Sequence, residues 1–166
     1  ESFFNSAAEK ANGLVFDLGF SSSEIEDYGR GFSFMRDEPL LMTYEDSREP
    51  LKDALKRLKK EEIEKILKDY SGERFARKIA QSIWEVQRKK PIETTFQLVD
   101  AVKKILPKNY EMGRIHPATR TFLAFRIYIN DELGSLEKVL RDSRYILKPG
   151  GRIVVVSFQS LEDRIV

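Results

Sequence analysis

Two short apolar runs near opposite ends of the chain constrain its fold more than any other feature. Leu14-Val15-Phe16 passes directly into an acid, Asp17, and then into Gly19 and the hydroxyls of Ser21 and Ser22. Arg152 to Phe158 (R-I-V-V-V-S-F) passes in the same way into Ser157, Gln159, Ser160, Glu162, Asp163 and Arg164. Each run reads as a short apolar strand of the kind buried on both faces in parallel sheets. Two parallel strands need a right-handed crossover between them. The intervening sequence is too long for one crossover helix, so the expected fold is α/β with a helical subdomain inserted at residues 46–116, the flanking segments 1–45 and 117–166 forming the α/β domain. Ligands of open α/β sheets bind outside the carboxyl ends of the strands, which makes Asp17 to Ser22 the expected seat of chemistry.

Helical periodicity fills the middle. Phe3, Phe4, Ala7, Ala8 and Ala11 predict a helix that closes at Asn12-Gly13 and feeds the first strand. Leu51, Ala54, Leu55 and Leu58 form one amphipathic stripe, and Ile63, Ile66, Leu67 and Tyr70 form a second after a phase break near Lys60. Ser71-Gly72 ends that helix. Glu73 opens a third, with Phe75, Ile79, Ala80 and Ile83 inward and Arg74, Arg77, Lys78 and Arg88 outward. Thr94-Thr95 suits a cap for the next helix, whose apolar face is Phe96, Val99, Val102, Ile105 and Leu106 before Pro107. Pro117 suits the first turn of a helix with Phe122, Phe125, Ile129 and Leu133 on one face, and a further stretch, Leu136 to Leu147, runs into a tight turn at Lys148-Pro149-Gly150-Gly151.

Composition removes several classes of function. The 166 residues contain no cysteine and one histidine, His116, which excludes a disulfide framework and thiolate metal sites and leaves no histidine cluster to bind a metal. No run reaches transmembrane length, and a cytosolic enzyme or binding protein is expected. The net charge of +2 conceals an asymmetry: Leu51 to His116 carries 17 Lys/Arg against 10 Asp/Glu, leaving 12 against 17 elsewhere. The basic middle reads either as a solvated face or as a surface for a phosphate-rich partner.

Two further stretches suggest contacts. Arg30-Gly31-Phe32-Ser33-Phe34-Met35-Arg36 lies in a long irregular passage, which either tucks its apolar side chains under the core or turns them to a substrate. His116, Thr119, Arg120 and Thr121 cluster at a predicted helix start, where free N–H groups favour an anion, although a histidine there also serves as a structural hydrogen bonder. Dinucleotide, P-loop, zinc-protease and nucleophile-elbow signatures are all absent.

Five segments occur in an order that carries a resemblance: D-L-G-F-S-S (17–22), R-G-F-S-F-M-R-D-E-P-L (30–40), G-E-R-F-A-R-K-I-A (72–80), H-P-A-T-R-T-F (116–122) and S-F-Q-S-L-E-D-R-I-V (157–166). Together they resemble the MraW family of bacterial methyltransferases, which use S-adenosylmethionine to methylate the 4-amino group of a cytidine in small-subunit ribosomal RNA. The resemblance implies a class I Rossmann-like sheet with Leu14 to Phe16 as its fourth strand and Ile153 to Phe158 as its fifth. It also implies that a glycine-rich cofactor loop and a second acid precede Glu1, that later strands follow Val166, and that the isolated segment is inactive alone. By position, Asp17 resembles the cofactor-contacting aspartate of the family. Glu24 stands where the family has a cofactor-contacting glutamine, and Gln159 stands where it has the histidine of H-S-L-E-D-R.

That chemistry asks for groups that accept the amine N–H bonds and hold the amine in line with the methyl group. Asp17, Ser21 and Ser22 are the expected catalytic residues, and Asp17 with Glu24 the expected cofactor contacts. Phe20, Phe32 or Phe34 would hold a base taken out of its stack, and Arg30, Arg36, Arg120 and the Arg74/Arg77/Lys78 face would meet RNA phosphates. His116, Thr119 and Thr121, with Ser157, Gln159 and Ser160, complete the expected substrate wall. The alternatives are a non-catalytic RNA-binding module derived from such an enzyme, and a methyltransferase of small molecules, for which the basic helical segment would have no use.

Overall fold

The computed structural model describes residues 10–19, 29–107, 110 and 115–166. The chain divides into two compact units, Ser22–Asn130, and Glu1–Ser21 together with Asp131–Val166.

In the second of these units, β1 (Ala11–Asp17) and β2 (Leu147–Val156) pair in parallel, with Gly13 opposite Arg152, Val15 opposite Val154 and Asp17 opposite Val156. Helix α6 (Glu132–Ile146) runs directly into β2, and the short α7 (Ser160–Asp163) follows it. Strand β1 begins at Ala11, so Ala11 and Asn12 are strand rather than the end of a helix; the rest of that predicted helix, residues 1–9, lies outside the described residues. The expected turn at Lys148-Pro149-Gly150-Gly151 is also part of a strand. Ala11 pairs with Leu147 and Gly13 with Arg152, so the turn residues form a bulge in β2 and the ladder resumes beyond it. Proline and glycine mark such an irregularity because one lacks the ladder donor and the other tolerates its backbone angles.

The expectation that both strands are buried on both faces is corrected. Val15 is 73% exposed, Val154 54% and Val156 42%. An apolar run shows that a strand is suited to burial, whereas burial itself needs a layer on each face. Among the described residues the sheet has two strands, and α6 packs on β2.

The Ser22–Asn130 unit holds a continuous apolar core. Helix α1 (Leu51–Arg57) stops at Leu58, and α2 (Lys60–Ser71) starts after Lys59, whose backbone N–H donates to Glu62 at 2.7 Å. That N-terminal tie explains the phase break in the apolar pattern. Helix α2 ends at Gly72, in the left-handed region at φ 60°, a conformation glycine adopts without the steric cost of a Cβ. Helix α3 (Ala76–Lys89) buries Ile79, Ala80 and Ile83 completely, and α4 (Thr95–Lys103) buries Leu98 and Val102. Full burial of each such large aliphatic side chain is worth roughly 1.5–3 kcal/mol. Phe96 departs from the predicted stripe at 44% exposure, with Leu98 in the core in its stead.

Helix α5 (Thr119–Asn130) carries Phe122, Phe125 and Ile129 into the same core. Asp131, at φ 50°, then breaks the helix, so Leu133 belongs to α6 rather than to the apolar face of α5. The irregular passage before α1 closes the unit. Leu40 and Met42 are fully buried, an isolated antiparallel bridge joins Pro39 to Thr94, and Thr95 N–H donates to the Glu38 carbonyl at 3.0 Å.

Candidate functional site

The carboxyl end of the strand pair is the first place where expected site residues meet. Asp17 is the last residue of β1 and Val156, its partner, the last of β2; the ladder closes one step further on, where Leu18 N–H donates to the Val156 carbonyl at 2.8 Å. The Asp17 side chain is exposed and in no ion pair among the described residues. A solvent-facing carboxylate without a cation beside it is available to a cationic ligand or to an amine N–H. Gly19 lies against Phe158, since a Cβ at Gly19 would stand 3.3 Å from that ring. The Phe158 ring is 76% exposed, an apolar face at the mouth of the strand ends that residue-by-residue reading did not select.

Ser157, Gln159 and Ser160 follow β2 directly. The Ser157 hydroxyl stands 3.2 Å from both the Gln159 carbonyl and Glu162 Oε2, and accepts the Gln159 N–H at 3.4 Å. The same Glu162 oxygen accepts the Phe158 N–H at 3.3 Å. Glu162, 8% exposed, is therefore the residue that fixes the loop's path, and it too was missed as a site residue. A signal existed: Glu162 occupies the third position of α7, from which a carboxylate reaches back to the backbone ahead of a helix. Phe20, Ser21, Ser22 and Glu24 lie outside the described residues.

The remaining expected residues belong to the Ser22–Asn130 unit. Arg30 donates from one guanidinium nitrogen to the Thr43 carbonyl at 3.1 Å and from another to Asp46 at 3.0 Å, so it braces its own loop. Phe32 stacks on Tyr44 with centroids 5.4 Å apart, and Phe34 stacks on His116 at 4.3 Å while meeting Phe122 edge-on at 5.5 Å. Both phenylalanines pack against the core. Arg36 is exposed, and its carbonyl accepts the Thr95 hydroxyl.

His116 works within the start of α5. Its Nδ1 accepts the Ala118 N–H at 3.2 Å and its carbonyl accepts the Thr119 N–H at 2.9 Å, so two of the early amide groups are already used. Burial holds the imidazole pKa below its ordinary value, and the charge of Lys103 pushes the same way. Both effects favour the neutral ring, with Nε2 carrying the proton when Nδ1 accepts. Arg120 donates to the Ser71 carbonyl at 3.2 Å, tying α5 to the end of α2. Thr121 is fully buried, and its hydroxyl finds no partner among the described residues. The structure thus brings Phe34, His116 and Phe122 together and places Arg30 and Phe32 with Asp46 and Tyr44.

Comparison with known proteins gives this geometry a family. The model of the MraW methylase family matches residues 1–166. A Deinococcus deserti protein named ribosomal RNA small subunit methyltransferase H is 44% identical over 157 residues, 95% of this chain and 52% of its own length. Proteins of the same name from Pelobacter propionicus and Clostridioides difficile are 48% identical over 156 residues and 44% over 158, covering 93% and 95% of this chain and 50% and 51% of their own lengths. The chain spans about half the length of the curated relatives it matches. The parallel strand pair is consistent with the Rossmann-like α/β fold expected of such a protein, and the match runs through every segment described above. The chain belongs to the MraW methylase family.

Proposed function

We propose that the protein transfers a methyl group from S-adenosylmethionine to the 4-amino group of a cytidine in small-subunit ribosomal RNA, as a cytoplasmic enzyme acting on the RNA or the ribosomal particle. The observation that carries this reading is Asp17, an exposed carboxylate in no ion pair among the described residues, at the carboxyl end of a parallel strand in a chain of the MraW methylase family. In this reading residues 46–116 are a helical insertion in an α/β domain to which 1–45 and 117–166 contribute.

The donor, when bound, supplies an electrophilic methyl group on a cationic sulfonium. The residues at hand fit such a group, because a carboxylate facing solvent at a strand end complements a cation and the Phe158 face beside Gly19 is apolar. Asp17 and Glu24 are the residues assigned to hold it. The exocyclic amine is a weak nucleophile, since its lone pair is delocalised into the ring. Asp17 accepts one amine N–H bond, localises the lone pair and fixes its direction of attack. Methylation makes the amine nitrogen more acidic, and the Asp17 carboxylate would take the proton it releases.

Ser21 and Ser22 are assigned to the same amine, and Phe20 to the face of the unstacked base. Arg36 and Arg120 are assigned to RNA phosphates, with Thr119 next to Arg120 on α5; Thr121, expected in the substrate wall, is fully buried and is not assigned to it. Phe32, Phe34 and His116, packed as they are, and Arg30, braced on Asp46, give the substrate wall its fixed form. Ser157, Gln159 and Ser160, which follow β2, are assigned to the substrate as well.

The test is transfer of labelled methyl from S-adenosylmethionine to small-subunit particles by the full-length protein, followed by nucleoside analysis. Label on the 4-amino group of cytidine is the expected result. RNA binding without label would instead support a non-catalytic module, and label on a free small molecule but not on RNA would overturn the substrate assignment.

A further inference from the structure

The Ser22–Asn130 unit contains a cleft of about 570 Å³ whose walls carry Lys60 from the start of α2, Arg77, Lys78 and Lys89 from α3, and Lys104 just after α4. Among the described residues, five cations from three elements therefore face one concavity, against a single carboxylate, Glu85. That carboxylate is engaged by Gln81, which donates to it from one turn earlier. Lys60 has a weak, exposed pairing with its neighbour Glu61 at 3.4 Å, and the Lys78 ammonium stands 5.9 Å from the Phe75 ring centre. Arg77, Lys89 and Lys104 are exposed and form no salt bridge among the described residues.

The floor is fixed and the rim is free to adapt. Ser82, buried at the back, donates to the Ala101 carbonyl at 2.6 Å and locks α3 to α4, while Val86 and Ile105 supply an apolar strip. Low-dielectric walls lined by one sign of charge focus the field and attract a polyanion. Four of the five cations are lysines, compact point charges on flexible stems, suited to a run of phosphates rather than to forked recognition of one group. Among the described residues no buried cation converges on a single point in the cleft, as a pocket for one small anion would need.

We propose that this cleft is a docking groove for the phosphodiester backbone of the RNA, gripping several consecutive phosphates without reading bases. The inference deepens the methyltransferase reading and rests on it for the identity of the RNA. Its consequence is a division of labour: the groove sets affinity and salt sensitivity, while the strand-end carboxylate sets the rate of the chemical step.

The test uses the full-length protein and its Arg77→Gln/Lys78→Gln/Lys89→Gln variant. Binding to naked single-stranded small-subunit RNA is measured across a salt series, together with steady-state methyl transfer to particles. The variant is expected to lose about tenfold or more in RNA affinity, and its log–log salt slope is expected to shrink by about 2, from three fewer phosphate contacts. In transfer, the loss falls on KM rather than kcat. A Lys78→Arg/Lys89→Arg variant, which keeps the charge, retains binding.

Unchanged affinity and slope in the triple variant overturn the groove. So does a KM defect on particles with normal binding to naked RNA, since an acidic protein surface would then be the partner. If the wild type methylates RNA and the triple variant is unaffected, the groove falls and the methyltransferase reading stands. If the wild type binds RNA with the predicted dependence on these cations but transfers no methyl group, the methyltransferase reading falls and the groove stands.

Discussion

Asn130, the last residue of α5, ties together backbone that is far away in sequence. Its side-chain nitrogen donates to the carbonyls of Met42 and Arg126, at 2.8 and 2.9 Å, and its oxygen accepts the Tyr44 N–H at 2.9 Å. Met42 is fully buried and sits at φ 56°, an unfavourable angle for a residue with a Cβ, so these bonds hold a strained turn in place. Asn130→Ala leaves the Tyr44 donor and the Met42 acceptor without partners and is expected to cost about 2–4 kcal/mol, read by urea denaturation. A loss below about 0.5 kcal/mol would contradict this role. The ties to Met42 and Tyr44 were not legible in the sequence, because those partners lie more than 80 positions away. The same limit hid the work of Arg30, Phe32 and Phe34. An arginine and two phenylalanines in an irregular stretch read equally as ligand contacts or as struts, and only the placement of Thr43, Asp46, Tyr44 and His116 shows what they touch. The position of Asp17 at the end of a strand was legible because its signal is local: an apolar run passing into an acid.

Helices were the most legible elements, since their apolar period and end signals are contained within each segment. The break between α1 and α2, the Gly72 stop and the placing of Phe122, Phe125 and Ile129 on α5 follow directly from that pattern, whereas Leu133 falls beyond the helix end. At Gly72 backbone conformation acts without steric contact, because a Cβ there would meet nothing within 4 Å. Gly72→Ala therefore carries only the backbone cost of a left-handed residue and is expected to lower stability by about 1–2 kcal/mol, measured by thermal or urea melting. An unchanged melt would show that the α2 terminus does not need that angle. The strands were less legible. Their existence and parallel pairing followed from composition and separation, but the bulge at Lys148–Gly151 and the exposure of Val15 and Val154 depend on register and covering layers that one strand's sequence does not encode.

For the molecule as a whole, the two units divide the chemical character of the chain. The unit ending in Val166 presents an acid, an apolar ring and a loop fixed by Glu162 at the mouth of a parallel pair, whereas the Ser22–Asn130 unit presents a helical core with a cationic cleft. An enzyme that modifies one base in a large polyanion needs both capacities: a small polar site for the amine and a surface for the phosphates. No helix among the described residues is long and apolar enough to cross a membrane. The carboxylate at the strand end bears most of the proposed chemistry. Its most direct measurement is single-turnover methyl transfer to small-subunit particles by full-length Asp17→Asn and Asp17→Ala proteins, at saturating donor and RNA. Removing the acceptor that orients the amine is predicted to slow transfer by about 10²–10³-fold while RNA binding is unchanged; transfer within about threefold of wild type in both variants would contradict the account.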